Sequence, residues 1–260
     1  MIALLCFIQT TAQELSPDYL KALKWRMIGP HRGGRTVGAT GVPQQPSVFY
    51  IGVNNGGIWK TTDYGRTWFP IFDEQPTGSV GDLAVAPSDP NMLYAGSGEG
   101  LQRPDLSVGD GIYKSTDAGK NWINLATIAD ETGKELKNSQ QIGGLCIDPA
   151  DANRVFVAAL GHPYGPNKER GVYRTLDGGK TWKKVLYIDE NTGAIQVTID
   201  PNNTQIVFAD LWAGRQGPWE NGAWNGTESG LYKSVDGGTT WRKITKGLPS
   251  TEQGLGRIGF

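Results

Sequence analysis

The stretch Thr61-TDYGRT-Trp68 decides the fold, because the chain repeats its pattern three more times. In every copy a Ser or Thr is followed at fixed offsets by an Asp, a Gly and a Trp. The copies start at residues 61, 115, 175 and 234, and a regular recurrence of this kind is typical of a repeat architecture. The other copies are Ser115-TDAGKN-Trp122, Thr175-LDGGKT-Trp182 and Ser234-VDGGTT-Trp241.

Each copy predicts a tight turn between two strands. The carboxylate can accept hydrogen bonds from backbone N–H groups of the turn, the Gly can adopt a positive φ, and the Trp opens the next strand. Burying a Trp side chain of about 200 Å² contributes at most about 5 kcal/mol, so we assign these residues a structural role. They are Asp63, Gly65, Trp68, Asp117, Gly119, Trp122, Asp177, Gly179, Trp182, Asp236, Gly238 and Trp241.

The segments around each turn complete a unit of four strands. A strand, an Asp-Pro turn and a second strand precede the second turn in Val85–Gly96. A third strand enters each turn, as Gly57–Thr61 does, and a fourth leaves it, as in Trp182–Tyr187. Four antiparallel strands per repeat are typical of a β-propeller blade. The sequence therefore predicts an all-β propeller with four-stranded antiparallel blades at about 35–72, 78–126, 140–187 and 193–246.

The ends of the chain carry further predictions. Residues 1–12 form an apolar run followed by small and polar residues, which is typical of a signal peptide and favours a secreted, periplasmic or cell-surface protein. Residues 13–34 form an entry segment, and residues 35–260 a partial propeller. The segment from residue 254 matches the first strand of a blade, so we expect a fifth blade to begin there. The chain is then an N-terminal fragment whose remaining blades are missing.

Composition and motifs exclude several classes of partner. The formal net charge of -1 gives no field to attract nucleic acid. After the first residues no apolar run approaches the ~18 residues of an integral membrane segment. The sequence has no His/Cys cluster and no EF-hand spacing, so we expect no metal site. Its Gly-rich stretches precede strands rather than helices, so we expect no phosphate-binding loop and no cofactor.

The motifs together resemble the Asp-box, or BNR, repeat. From Trp25 onward the chain is similar to secreted bacterial Asp-box proteins related to the sortilin N-terminal domain and to the sialidase/xyloglucanase superfold. The supporting segments are Trp25–Arg35, Val53–Trp68, Gly111–Trp122, Gly161–Thr175 and Gly230–Trp241. The resemblance implies the fold more strongly than the function, because such propellers include sialidases, xyloglucanases, sorting receptors and assembly factors.

Strand parity predicts which face carries a site. If the strands of a blade run outward in order, the Asp boxes and Asp-Pro turns share one face and the long, variable inserts share the other. Candidate ligand-binding residues lie in the inserts, where aromatic rings and planar polar groups suit a sugar or a peptide. The Trp residues could equally pack onto their own blade. These candidates are Asn54, Asn55, His162, Tyr164, Arg170, Trp212, Arg215, Trp219 and Trp224.

A glycoside hydrolase needs two opposed carboxyl groups, and Glu99 and Asp110 are weak candidates. In xyloglucanase-type propellers the resemblance implies a first-blade catalytic Asp before a Gly-Gly-aromatic strand, but Asn54 occupies that position here. The partner acid of that family lies in a second propeller, and Arg26–Pro30 is only distantly similar to the start of a sialidase. The sequence thus favours a binding scaffold for protein, peptide or carbohydrate over an enzyme, with a glycoside hydrolase as the alternative.

Overall fold

Four sheets of four strands make up the part of the chain that the structure describes. The computed structural model describes Ser16 and residues 34–100, 106–162, 164–215 and 226–260, so the predicted signal peptide lies outside the described residues. In each sheet four consecutive strands are hydrogen-bonded in sequence order, and every pairing is antiparallel. This confirms the predicted all-β class and the four-stranded blades.

The blades are numbered along the chain. Blade 1 contains β1 (Thr36–Gly41), β2 (Phe49–Val53), β3 (Gly57–Thr61) and β4 (Phe69–Pro70). Blade 2 contains β5 (Val80–Ala86), β6 (Asp89–Ser97), β7 (Ile112–Ser115) and β8 (Ile123–Asn124). Blade 3 contains β9 (Gln141–Ile147), β10 (Val155–Gly161), β11 (Gly171–Thr175) and β12 (Lys183–Leu186). Blade 4 contains β13 (Gly193–Ile199), β14 (Val207–Trp212), β15 (Gly230–Ser234) and β16 (Arg242–Lys243), and one short helix, α1 (Glu131–Leu136), joins blades 2 and 3.

The Asp box of blade 3 shows how the turn between the third and fourth strands is fixed. Asp177 Oδ1 accepts from Thr175 Oγ1 and from Thr181 N, both at 2.9 Å, and its Oδ2 accepts from Thr181 Oγ1 at 2.8 Å. Thr175 Oγ1 in turn accepts from Gly179 N at 2.9 Å. Gly179 has a φ of 96°, which only glycine adopts without strain. The same contacts recur in the other three boxes.

These hydrogen bonds stabilise the charged form of the box carboxylates. The bonds donated by Thr67 lower the pKa of Asp63 to about 2, and those donated by Asn121 do the same for Asp117. The predicted structural role of the boxes thus has a direct physical basis in turn closure.

The four box tryptophans differ in burial. Trp122 and Trp182 are 9% and 5% exposed, whereas Trp68 and Trp241 are half-buried. The indole of Trp122 reaches back to the preceding blade and donates to Ile71 O at 2.8 Å, while that of Trp182 donates to Gly179 O in its own turn at 3.0 Å. The tryptophans of the boxes in blades 2 and 3 therefore belong to the core, and those of blades 1 and 4 lie at its edge.

A cation from the third strand of blades 1, 2 and 3 connects each of them to the next blade. Lys60 Nζ donates to Ala118 O at 3.1 Å, and Lys114 Nζ donates to Gly178 O at 3.0 Å. Arg174 repeats the contact on blade 4, where NH1 donates to Gly237 O at 2.7 Å. Each acceptor carbonyl belongs to the Asp box of the next blade. The boxes thus fix their own turn and also receive the preceding blade.

Apolar side chains fill the spaces between successive blades. Ile142 of β9 packs on the second strand of blade 2, where a Cβ at Gly96 would lie only 2.4 Å from its Cγ2. Gly52 allows the same close approach of β5 to blade 1, because a Cβ there would lie 2.6 Å from Leu83 Cδ2. In the second strand of blade 4, the position that corresponds to these glycines is occupied by Asp210, which pairs with Gln196 of the first strand. A carboxyl group therefore stands where blades 1 and 2 have a glycine and blade 3 has Ala158.

The segment after residue 254 differs from the sequence-based expectation. It forms no strand, because residues 255–260 have no backbone ladder with any strand among the described residues. Side chains hold it instead: Ile258 N donates to Asp210 Oδ2 at 2.7 Å, and Gln196 Nε2 donates to Phe260 O at 2.5 Å. The segment therefore follows blade 4 without completing the first strand of another blade.

Asp210 gives a prediction for the pH dependence of stability. Its side chain is fully buried, and burial raises its pKa to about 7. Because the folded pKa exceeds the unfolded value of ~3.9, the contribution of this group to stability is complete below pH ~3.9 and is lost as the pH rises through about 7. Asp210→Asn should therefore raise the melting temperature at pH 8, by about 2–4 °C for each kcal/mol gained in the free energy of unfolding. The decrease of the melting temperature between pH 5 and 8 should also be smaller in this variant. Calorimetric melting across this range tests it; an equally steep pH profile in the variant would contradict the assignment.

Candidate functional site

The connections between strands separate onto two faces. Because each blade has four consecutive antiparallel strands, the turns after the first and third strands lie on one face, which carries the Asp boxes. The connections after the second and fourth strands lie on the opposite face, which we call the insert face. Within blades, its described connections span residues 54–56, 98–100, 106–111, 162, 164–170, 213–215 and 226–229.

Glu99 lies at the start of the blade 2 insert and is an anchor of the fold. Its side chain is fully buried, and Arg35 NH2 donates to Glu99 Oε1 at 2.6 Å and to Oε2 at 2.8 Å. Its backbone also forms a parallel bridge with Ile142 of blade 3. Glu99 therefore joins three blades, and both of its carboxylate oxygens are occupied.

Asp110 closes the other end of the same insert. Its Oδ2 accepts from Tyr113 OH at 2.7 Å, and its Oδ1 accepts from Ser97 Oγ at 3.2 Å. Burial and the hydrogen bond to Asp110 raise the pKa of Tyr113. The two carboxylates singled out as weak catalytic candidates are thus both engaged in shaping their own loop.

Two carboxamides at the inner rim of the insert face are buried without hydrogen-bond partners. Asn54 is 1% exposed, its backbone N donates to Arg35 O at 2.9 Å, and neither atom of its amide has a partner among the described residues. Gln141, the first residue of β9, is fully buried, and neither atom of its amide has a hydrogen-bond partner among the described residues. The sequence analysis missed Gln141, although a polar residue opening a buried strand could have drawn attention to it. Asn55 is exposed, with a φ of 60°.

The blade 3 insert brings together three of the predicted ligand-binding residues. His162 Nδ1 lies 3.7 Å from Glu169 Oε2. Tyr164 is 41% exposed. Arg170 is 1% exposed, and burial lowers its pKa to about 10. Its guanidinium donates to backbone carbonyls, so Arg170 shapes the insert from within.

The blade 4 insert places its predicted residues differently. Trp212 is only 4% exposed and packs with Leu160 and Ile195 between blades 3 and 4, so its ring offers no stacking face for a ligand. This corrects the surface role expected for Trp212: as the last residue of β14 it still belongs to the core. Arg215 is exposed. Trp219 and Trp224 lie outside the described residues.

A cavity of about 480 Å³ runs between the first strands of the blades. Thr36, Asp82, Gln196 and Arg257 supply polar groups to its lining. Asp82 Oδ1 accepts from Leu83 N at 2.8 Å and Oδ2 accepts from Leu145 N of the next blade at 2.9 Å, while burial raises its pKa to about 6. The sequence analysis missed Asp82, because it sits within a strand rather than in an insert.

Within the described ranges, no group of three or more His, Cys, Asp and Glu side chains is placed to hold a metal ion. None of the helices in the same ranges is long and apolar enough to cross a membrane.

Comparison with known proteins supports the repeat and the architecture. The BNR/Asp-box repeat model matches residues 173–184, which include the box of blade 3. A GH74 xyloglucanase from Xanthomonas campestris superposes with a TM-score of 0.62 at 19% identity over 87% of this chain and 32% of that protein. An ancestral GH74 enzyme superposes with a TM-score of 0.59 at 20% identity, over 87% of this chain and 26% of the enzyme. These likenesses establish a β-propeller fold.

Proteins of similar sequence are also named xyloglucanases. A xyloglucanase of a Paenibacillus species is 25% identical over 234 residues, which cover 85% of this chain and 22% of the relative. A xyloglucanase of Acetivibrio thermocellus is 27% identical over 251 residues, covering 86% of this chain and 26% of the relative. The chain thus spans about a quarter of the length of the curated relatives it matches. A relation to the sortilin domain stays a prediction.

The geometry of Glu99 predicts the effect of removing its charge. Glu99→Gln should lower the free energy of unfolding by about 1–3 kcal/mol, because the buried amide would turn a donor toward the Arg35 guanidinium. Glu131→Gln is a matched control, since Glu131 pairs with Lys134 at 2.7 Å on the surface and should matter by less than about 1 kcal/mol. Urea unfolding measures both. A stabilised Glu99→Gln variant would instead indicate a carboxylate held for catalysis.

Proposed function

We propose that the protein acts on a β-linked glucan of the xyloglucan type and that its insert face contacts the glycan. The observation that carries this proposal is the similarity to proteins named xyloglucanases along 85% and 86% of the chain. This favours the glycoside hydrolase alternative over the pure scaffold that the sequence alone suggested. The proposal concerns the whole protein, of which the four blades supply one part of the glycan surface.

The distribution of polar contacts between the two faces supports this choice of surface. On the Asp-box face the carboxylates, hydroxyls and cations are committed to closing turns and joining blades. The insert face presents Tyr164 at 41% exposure and an exposed Asn55, neither of which closes a turn of an Asp box. An aromatic face beside planar polar groups is a suitable surface for a sugar ring, because the ring offers both C–H groups and hydroxyls.

The catalytic step needs two carboxyl groups across the glycosidic bond. Glu99 is neutralised by Arg35, and Asp110 is hydrogen-bonded to Tyr113 and Ser97. Asn54, at the position that resembles the catalytic Asp of xyloglucanases, cannot act as a general base. We therefore propose that the described blades contribute glycan binding and that hydrolysis depends on carboxyl groups supplied elsewhere in the whole protein.

A second candidate function is glycan binding without hydrolysis. The observation that favours it is again Asn54, whose amide stands where a hydrolase of the resembling type needs a carboxylate. Both candidates share the same surface and the same class of ligand. A polysaccharide is too large to pass a membrane unaided, so under either candidate we propose that the protein works outside the cytoplasm, as the apolar residues 1–12 predict.

A glycan assay with a matched pair of tyrosine variants tests the proposal. We expect calorimetry to detect binding of xyloglucan oligosaccharides, and Tyr164→Ala to weaken it by about 3- to 10-fold, because the variant loses an aromatic contact. Tyr64→Ala is the control, since Tyr64 is 70% exposed on the Asp-box face and should not change the affinity.

Release of reducing ends from xyloglucan, with an α-linked glucan as the comparison substrate, then separates the two candidates. Hydrolysis selects the enzyme, and binding without hydrolysis selects the scaffold. Absence of both with every β-linked glucan would contradict the proposed function.

A further inference from the structure

Two buried arginines of blade 3 connect it to blade 4 at opposite faces. Arg154 is 9% exposed, and its NH2 donates to Thr204 O at 3.0 Å and to Gly237 O at 3.2 Å on the Asp-box face. Arg170 is 1% exposed, and its NH1 donates to Gly214 O at 3.3 Å on the insert face. The two side chains therefore both attach blade 3 to blade 4, one at each end of the interface between these blades.

They differ in how their charge is compensated. Arg154 forms an ion pair with Asp148, with 2.5 Å between NH1 and Oδ2. Arg170 has no carboxylate oxygen within 4.0 Å among the described residues, and its Nε has no hydrogen-bond partner. The carboxylates of Asp189 and Glu169 favour its charge only from beyond that distance. A buried guanidinium that is hydrogen-bonded only to carbonyl groups is costly, because neutral acceptors replace its hydration only in part. Stability alone gives little reason to keep a charge at this place.

The contacts of Arg170 converge on the path of the blade 3 insert. Arg170 NH2 donates to His162 O and Gly165 O, both at 3.4 Å. Asn167 Nδ2 donates to the same two carbonyls at 2.8 and 2.9 Å. The Asn167 backbone is tied in turn to the connection between blades 3 and 4, because its N donates to Glu190 O at 2.9 Å. The guanidinium of Arg170 thus hydrogen-bonds to the start and the middle of this insert and connects both to Gly214 of blade 4.

We propose that Arg170 is a positioning residue that fixes the blade 3 insert at a set distance from residues 213–215, and that this distance sets the affinity of the insert face for its glycan. The second half of the proposal rests on the proposed function. A guanidinium suits the task, because its donors point in fixed directions and can hold several carbonyls at once, whereas a Lys ammonium on a flexible stem cannot hold the same geometry. Small displacements of a binding group are sufficient to cost a large part of an affinity.

The test compares equivalent variants of the two arginines in the full chain. Arg170→Lys and Arg170→Met should weaken binding of xyloglucan oligosaccharides by about tenfold, measured by calorimetry well below the melting temperature. Arg154→Lys and Arg154→Met are the matched controls, which should lower the melting temperature at least as much and change the affinity by less than about twofold. If Arg170→Met does not fold, Arg170→Lys decides the outcome.

A second readout separates failure of this inference from failure of the proposed function. Hydrogen exchange should accelerate at the amides of residues 164–170 and 213–215 in Arg170→Lys but not in Arg154→Lys. Unchanged exchange at these amides, or equal loss of affinity in the two sets of variants, would overturn the inference. If the unaltered protein binds no glycan while Arg170→Lys still loosens these amides, the positioning role stands and the ligand class is wrong.

Discussion

One carboxylate in each Asp box accepts the hydrogen bonds that close the turn between the third and fourth strands, and the rest of the structure depends on this closure. In blade 3, Asp177 binds both the N–H and the hydroxyl of Thr181 at 2.9 and 2.8 Å. The closed turn presents a carbonyl, Gly178 O, which receives Lys114 from the preceding blade at 3.0 Å. Turn closure and blade-to-blade attachment are therefore one physical unit, repeated through the chain.

Concentrating this structural work on one face leaves the opposite face able to vary. Among the described residues of the insert face, Arg170 is buried with no carboxylate within 4.0 Å, and the amides of Asn54 and Gln141 have no hydrogen-bond partner. Such groups cost stability, and proteins commonly accept that cost where a site must be shaped. The Asp-box face holds the blades together. The insert face, where some buried polar groups lack hydrogen-bond partners among the described residues, carries the variable loops that we assign to glycan recognition.

The sequence predicted the blades well, because every box repeats four fixed positions and a hairpin turn is a local structure. It could not predict the pairing of Glu99 with Arg35, since these residues are far apart in the chain and only the fold brings them together. Trp212 illustrates the same limit: a Trp in a variable insert suggested a binding surface, but its place at the end of β14 buries it between two blades. Asp82 was missed because a strand pattern does not reveal which polar side chain lines the cavity between the first strands of the blades.

We propose that the Asp-box face is structural and that the insert face is the binding surface. Hydrogen exchange of the protein with and without a xyloglucan oligosaccharide tests this division most directly. We expect slower exchange on ligand addition at residues 54–56, 106–111, 164–170 and 213–215, with no change at the box amides of Gly65, Gly119, Gly179 and Gly238. Protection that appears first at the box amides, while the inserts exchange as before, would contradict it.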